Sequence, residues 1–193
     1  MKAIHALKPV LVTAPTTSPV SLAEARAHLR VDHTDEDTII QTYIDAATAH
    51  IDGWAGILGR CLVTQTWRQD LAEFPIGVLR LPFPDVQTVA VAYTDTNGAD
   101  QTFTGFDLVD DYLGAGLVLA DGQVWPATDD IQNAVRVTFV CGYGAAADVP
   151  SALKAAILLH VGTLYENRET LTDRLAPNMA YEALTAPYRR VGI

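Results

Sequence analysis

The sequence predicts an α+β protein: a helical body of three main helices, an antiparallel β-rich insertion, and extended N- and C-terminal segments. Three observations carry that expectation. Apolar residues recur at steps of three and four over 38–54 and again over 153–165. Between them, over 61–141, apolar and polar residues alternate in short runs separated by turn residues. Prolines punctuate both ends of the chain. The expected division is an arm at 1–20, a helical body at 21–60 and 145–170, an insertion at 61–144, and a tail at 171–193.

In chain order, Pro9, Pro15 and Pro19 keep the arm extended, so it finds order only against a neighbour. Such arms commonly exchange between subunits. Ser21 with Glu24 three residues on forms a capping box opening a short helix through Leu29. The acidic run Asp32 to Asp37 lacks the central glycine and closing glutamate of a calcium loop. It reads as an N-terminal cap whose acids suit the helix dipole. Ile39, Ile40, Tyr43, Ile44, Ala47, Ile51 and Trp54 then mark one face of a helix about 17 residues long, which Gly53, Gly56 and Gly59 end.

Strands are expected at 61–67, 78–81, 86–93, 102–109, 117–120 and 135–140, a meander with a hairpin turn at Asp95-Thr96-Asn97-Gly98. Pro150 and Ser151 open the last main helix, whose Leu153, Ala156, Ile157, His160, Val161, Leu164 and Tyr165 are joined by Ala155, Leu158 and Leu159 on the other side. A helix apolar nearly all round is buried in its own core or between subunits. The tail carries Pro177 and Pro187 and ends near Tyr188-Arg189-Arg190.

Composition narrows the function. The chain has 193 residues, 49% hydrophobic and 19% charged, which excludes intrinsic disorder. A chain of this size buries roughly 70% of its unfolded surface without a metal or disulfide staple. Its net charge of −10 repels phosphate backbones and anionic lipid, so DNA could pass near it without adhering. Cys61 and Cys141 read as two buried, reduced thiols. No apolar run approaches the ~18 residues of a membrane span, and the N-terminus lacks a signal-peptide h-region. A chain made and kept in cytosol-like conditions is expected.

No catalytic constellation emerges. The motif G-x-S-x-G is absent, and His5, His28, His33, His50 and His160 lack metal-ligand spacing. His160, on the most apolar helix, reads as a hydrogen-bonded core histidine. Gly114-Ala115-Gly116 and Gly142-Tyr143-Gly144 read as turns, and Asp110-Asp111 and Asp129-Asp130 as loop carboxylates. Trp54, Trp67 and Trp125 read as core anchors rather than a sugar platform. Neither an enzyme nor a cofactor is expected. Tyr188, Arg189 and Arg190 stand out in an acidic chain as an anchor for a partner's pocket.

An ordered series of residues resembles a known family. Pro19-Val20-Ser21-Leu22-Ala23-Glu24-Ala25-Arg26-Ala27-His28-Leu29-Arg30-Val31, then Asp35-Glu36-Asp37 and the helix from Ile39 to Ile51, is similar to the opening of phage head–tail connector proteins, the adaptors beneath the portal in long-tailed phages and gene transfer agents. Leu81-Pro82-x-Pro84-x-Val86, Tyr93-x-Asp95 with Gly98, Gly142-Tyr143-Gly144 with Val149-Pro150, Tyr165-Glu166-Asn167-Arg168-Glu169 and Leu184-x-x-Pro187-Tyr188-Arg189 extend the likeness over about 19–190. Cys141 departs from the small residue expected there.

The resemblance implies a non-enzymatic virion component of the head–tail neck, present in host cytoplasm before assembly. It implies a ring, typically of twelve subunits, docked on the portal protein, with the next neck protein (the head–tail stopper) on the other face. Double-stranded DNA passes through the channel without specific binding, and no membrane is involved. Leu184, Pro187, Tyr188, Arg189 and Arg190 become portal-contact candidates. Leu153, Ile157, Val161 and Leu164 become candidates for contact between subunits. Ten arginines against three lysines suit a high-GC genome and a gene transfer agent. The alternative from the residues is a soluble β-rich module binding glycan or peptide, flanked by helices.

Overall fold

Ser21 opens the first helix, α1 (Leu22–Leu29), with both halves of a capping box in place: the Glu24 amide donates to Ser21 Oγ at 3.2 Å, and the Ser21 amide donates to Glu24 Oε2 at 2.7 Å. This satisfies two N–H groups that the first turn otherwise leaves unpaired. The Ser21 hydroxyl, ahead of its backbone amide, holds the Glu24 carboxyl below its ordinary value of 4.5. A depressed carboxyl stabilises the folded state above its unfolded value and loses that contribution as pH falls through the lowered one. Ser21→Ala should cost about 1 kcal/mol of helix stability, read as a lower melting temperature at neutral pH. The loss should shrink in acid.

The structure, a computed structural model, describes residues 7–168 and 179–190. The described chain separates into two units, one of residues 7–14 and 64–142, the other of 15–63, 143–168 and 179–190. The architecture is α+β, as the sequence predicts.

The helical unit contains α1, α2 (Asp37–Ile51), α3 (Ser151–Glu166) and α4 (Met179–Thr185). Its core is the inner face of α2 (Ile40, Ile44, Ala47, Ile51) against Leu153, Ala156, Ile157 and Val161 of α3, all without accessible surface. α2 ends at Ile51 rather than Trp54. Gly53, at φ 69, takes the left-handed conformation that breaks the helix. Trp54 therefore leaves the apolar stripe and stands 46% exposed, not a core anchor.

The β-rich unit holds two antiparallel sheets. In the first, β1 (Val10–Thr13), β2 (Gln65–Leu71), β8 (Val135–Cys141), β4 (Val86–Thr94) and β5 (Asp100–Phe103) lie in that order. The second orders β3 (Leu79–Arg80), β7 (Gly114–Leu119) and β6 (Phe106–Asp111). β8 is central because its alternate residues Val135, Val137, Phe139 and Cys141 are all buried while it pairs on both sides. The unit is therefore not a simple meander: β8 inserts between β2 and β4. The expected strand 102–109 splits at Thr104-Gly105 into β5 and β6, which belong to different sheets. A Cβ on Gly105 would meet the side chains of Gln123 and Phe103 at 2.7 and 2.8 Å, so any other residue at the break would have to push them aside.

Several local expectations change. Val10–Thr13, expected in a free arm, forms an edge strand paired with β2 of the same chain, so its order is intramolecular; residues 1–6 lie outside the described residues. Gly114-Ala115-Gly116 lies within β7 rather than in a turn, where a Cβ on Gly116 would come within 2.8 Å of Val78. Asp111 is not a loop carboxylate; it ends β6 and takes both Arg80 guanidinium N–H groups at 2.7 Å, a bidentate structural pair. The Asp95 hairpin forms as expected. Asp95 Oδ1 accepts from the Asn97 and Ala99 amides at 2.9 and 3.0 Å, and Gly98 sits at φ 78.

Candidate functional site

The residues singled out for partner contact lie on α3 and on the C-terminal segment, both in the helical unit. α3 begins at Ser151 after Pro150 and carries apolar residues on nearly every side. Leu153, Ile157 and Val161 have no accessible surface and pack into the unit's own core. A contact with another subunit needs accessible surface, which these three lack; Leu164 is half-buried. The half-exposed side of α3 is instead Ala152, Ala155, Leu159 and Thr163, one helical stripe.

The C-terminal end of α3 is tied to the start of α2. Glu36 accepts from the Tyr165 hydroxyl and from Arg168 Nη2, the latter at 2.6 Å. These bonds, Tyr165's first and Arg168's second, hold the Glu36 carboxyl below its ordinary range, and Glu36 in turn pushes the Tyr165 hydroxyl up. The Arg168 guanidinium also lies 4.6 Å over the Tyr165 ring. The acidic run is expected to cap α2, but Glu36 at the N-cap position makes no side-chain cap; its carboxylate reaches across to α3. Two separate pieces of the family-like series, Asp35-Glu36-Asp37 and Tyr165 to Arg168, meet here.

The tail, expected as an extended segment, forms α4 over Met179–Thr185 and a 3-10 turn over Ala186–Tyr188; residues 169–178 and 191–193 lie outside the described residues. Thr185 is buried, its hydroxyl donating to the Tyr181 carbonyl at 2.9 Å. Tyr181 and Tyr188 pack on the helical core, and the Arg190 amide donates to the Leu58 carbonyl at 3.0 Å. Pro187 and Arg189 are exposed, and Arg189 pairs with Glu182 at 3.1 Å. Leu184, Tyr188 and Arg190 are half-buried. The five portal-contact candidates therefore share one short segment, folded on its own unit, that still shows a proline and an arginine to solvent.

Sequence reasoning missed one cluster. His50 from α2, His160 from α3 and Tyr181 from α4 bring their rings together: His50 and His160 lie 5.1 Å apart edge-on, and His160 and Tyr181 lie 5.7 Å apart. His160 is not the hydrogen-bonded core histidine expected, for its Nδ1 is buried without a hydrogen bond among the described residues. Burial, then the charge of His50, holds its pKa below 6.5. Its place on α3 one turn before Leu164 was legible; that α4 would cover it was not.

Among the described residues no group of three His, Cys, Asp or Glu side chains is placed to hold a metal ion, and no helix is long and apolar enough to cross a membrane. Residues 19–73 match the family of phage gp6-like head-tail connector proteins, which bears out the resemblance read from the sequence. The fold is similar to a chain in the virion of the native gene transfer agent particle, with TM-score 0.80, 26% identity and 97% of each chain covered. It is similar to a chain in the neck of the empty particle computed with C6 symmetry, at TM-score 0.80, 27% identity and the same coverage. A chain in the neck of the native particle computed with C12 symmetry matches at TM-score 0.77 and 25% identity, again over 97% of each. No curated protein matches the sequence.

Proposed function

We propose that this protein is a structural head–tail adaptor of a virion or gene transfer agent particle, located in the neck, where copies form a ring that joins the DNA-filled head to the tail. The observation that carries the reading is the likeness over 97% of the chain to chains of gene transfer agent particles, two of them resolved in the neck. Its work is mechanical, without covalent chemistry. The C-terminal segment, through Leu184, Pro187, Tyr188, Arg189 and Arg190, contacts the portal protein, and the opposite face of the ring receives the next neck protein.

Charge supports the reading. Closed rings arise from head-to-tail contacts between two different faces of one chain. A net charge of −10 per copy, repeated around a ring, gives the channel a field that keeps duplex DNA from adhering within about a Debye length of the wall. The ring of twelve carried by the family resemblance matches the C12 symmetry of one neck in which a similar chain occurs.

The test is reconstitution. Purified chain mixed with portal assemblies and imaged by electron microscopy should appear as a ring stacked coaxially on the portal. A chain that stays apart from portal assemblies at concentrations well above those of assembly would refute the reading.

A further inference from the structure

The C-terminal segment proposed above as the docking element is held on its own unit by a cluster whose chemistry makes the hold conditional. We propose that His50, His160 and Tyr181 form a proton-operated latch: it stows α4 and the following Tyr188 against α2 and α3 while His160 is neutral, and frees them when His160 takes up a proton. The inference rests on the reading of this segment as the docking element, but the latch itself is a property of the isolated chain.

Geometry carries the argument. The three rings come from three helices, so they form one contact between α4 and the α2–α3 pair, followed along the chain by the Tyr188 packing and the Arg190–Leu58 backbone bond. Neutral His160 needs only one nitrogen as a donor, and Nδ1 can remain a bare acceptor in its buried site. Protonation turns Nδ1 into a charged donor with no hydrogen-bond partner among the described residues, 5.1 Å ring to ring from a second histidine. A buried, unsatisfied, charged donor is costly, and the chain relieves it by lifting α4 and admitting water.

The surrounding charges do not offset that penalty. From α2 the facing group is His50, which repels once charged. From α4 it is Tyr181, whose hydroxyl burial pushes up and so keeps neutral. Glu182, the carboxylate beside it, is engaged by Arg189 at 3.1 Å. From α1, His28 approaches α3 at Gly162, two residues beyond His160, and adds a further potential positive charge. The sign follows: the penalty depresses His160, so the stowed state is favoured at neutral pH and lost as pH falls through the lowered value.

Hydrogen exchange on the full chain tests this without any portal. Amides of 179–185 should lose protection several-fold between pH 7.5 and pH 5, after correction for intrinsic exchange, while amides of α2 and α3 keep theirs. In His160→Gln the pH dependence should vanish. Unchanged protection of 179–185 across that range, or the same loss in the variant, overturns the latch. Should His160→Gln fail to fold, Tyr181→Ala gives a second reading by NMR titration of His160. With the tyrosine ring gone, His160 should titrate closer to an ordinary histidine, and identical titration in wild type and variant overturns the proposal. A working latch with no portal docking would instead sink the adaptor reading alone.

Discussion

Reversing Arg189 to glutamate should abolish docking on the portal while leaving the isolated chain folded. Arg189 is exposed, and its ion pair with Glu182 has both side chains over 40% accessible. Such a surface pair is worth about 0–1 kcal/mol, because water screens it and two long side chains must be ordered to form it. The melting temperature should therefore shift little. Docking is another matter. Arginine and tyrosine dominate binding energetics at interfaces, with truncations there costing about 2 kcal/mol or more, or roughly 30-fold in affinity per contact. In a ring every subunit after the first engages intramolecularly, so a loss at each copy compounds. Co-sedimentation with portal assemblies should show wild type bound and Arg189→Glu free, with Arg189→Lys between them. Rings of Arg189→Glu that dock as wild type would remove the C-terminal segment from the interface. A soluble ligand-binding module, by contrast, would be indifferent to this change, since its binding surface would lie in the β-rich unit.

Local signals were read well and long-range ones poorly, for a physical reason in each case. The capping box at Ser21 and Glu24, the hairpin at Asp95 to Gly98, and the start of α3 at Pro150-Ser151 depend on residues within four positions of one another, so sequence spacing specifies them. The inner stripe of α2 was equally legible, because a period of 3.6 is a property of the chain. What escaped depended on which distant segment arrived. β1 looked like a loose arm since its prolines signal extension, and only pairing with β2 makes extension into a strand. The central place of β8 needs two partners separated from it by about 40 residues or more, as Val137 opposite both Gln69 and Val91 shows. The strand expected at 102–109 has a glycine in its middle, but only the pairing of its two halves with β4 and β7 shows that Gly105 divides it between two sheets. At the candidate site, the all-round apolarity of α3 left core and subunit contact indistinguishable, and α4 decided part of that by covering His160.

Replacing Ile157 with alanine distinguishes those two roles, and is expected to have the largest effect on stability. Ile157 has no accessible surface and belongs to the same core cluster as Ile40, Ile44 and Ile51 of α2. Removing three carbons from such a site forfeits their transfer energy and leaves a cavity that rigid helices close only in part. The cost is about 2–5 kcal/mol. For a chain of this length, with about 2–4 °C per kcal/mol, a mid-range loss of ~3 kcal/mol lowers the melting temperature by about 6–12 °C. Because the chain divides into two units, differential scanning calorimetry is the suitable measurement. The loss should fall on the transition of the helical unit and spare that of the β-rich unit. A residue acting through contact with a neighbouring copy would behave in the opposite way. Its removal would leave the dilute monomer as stable as wild type and weaken only the assembled ring. Ile157→Ala should therefore lower stability at concentrations far below assembly, and Leu159→Ala, on the half-exposed stripe of the same helix, should not.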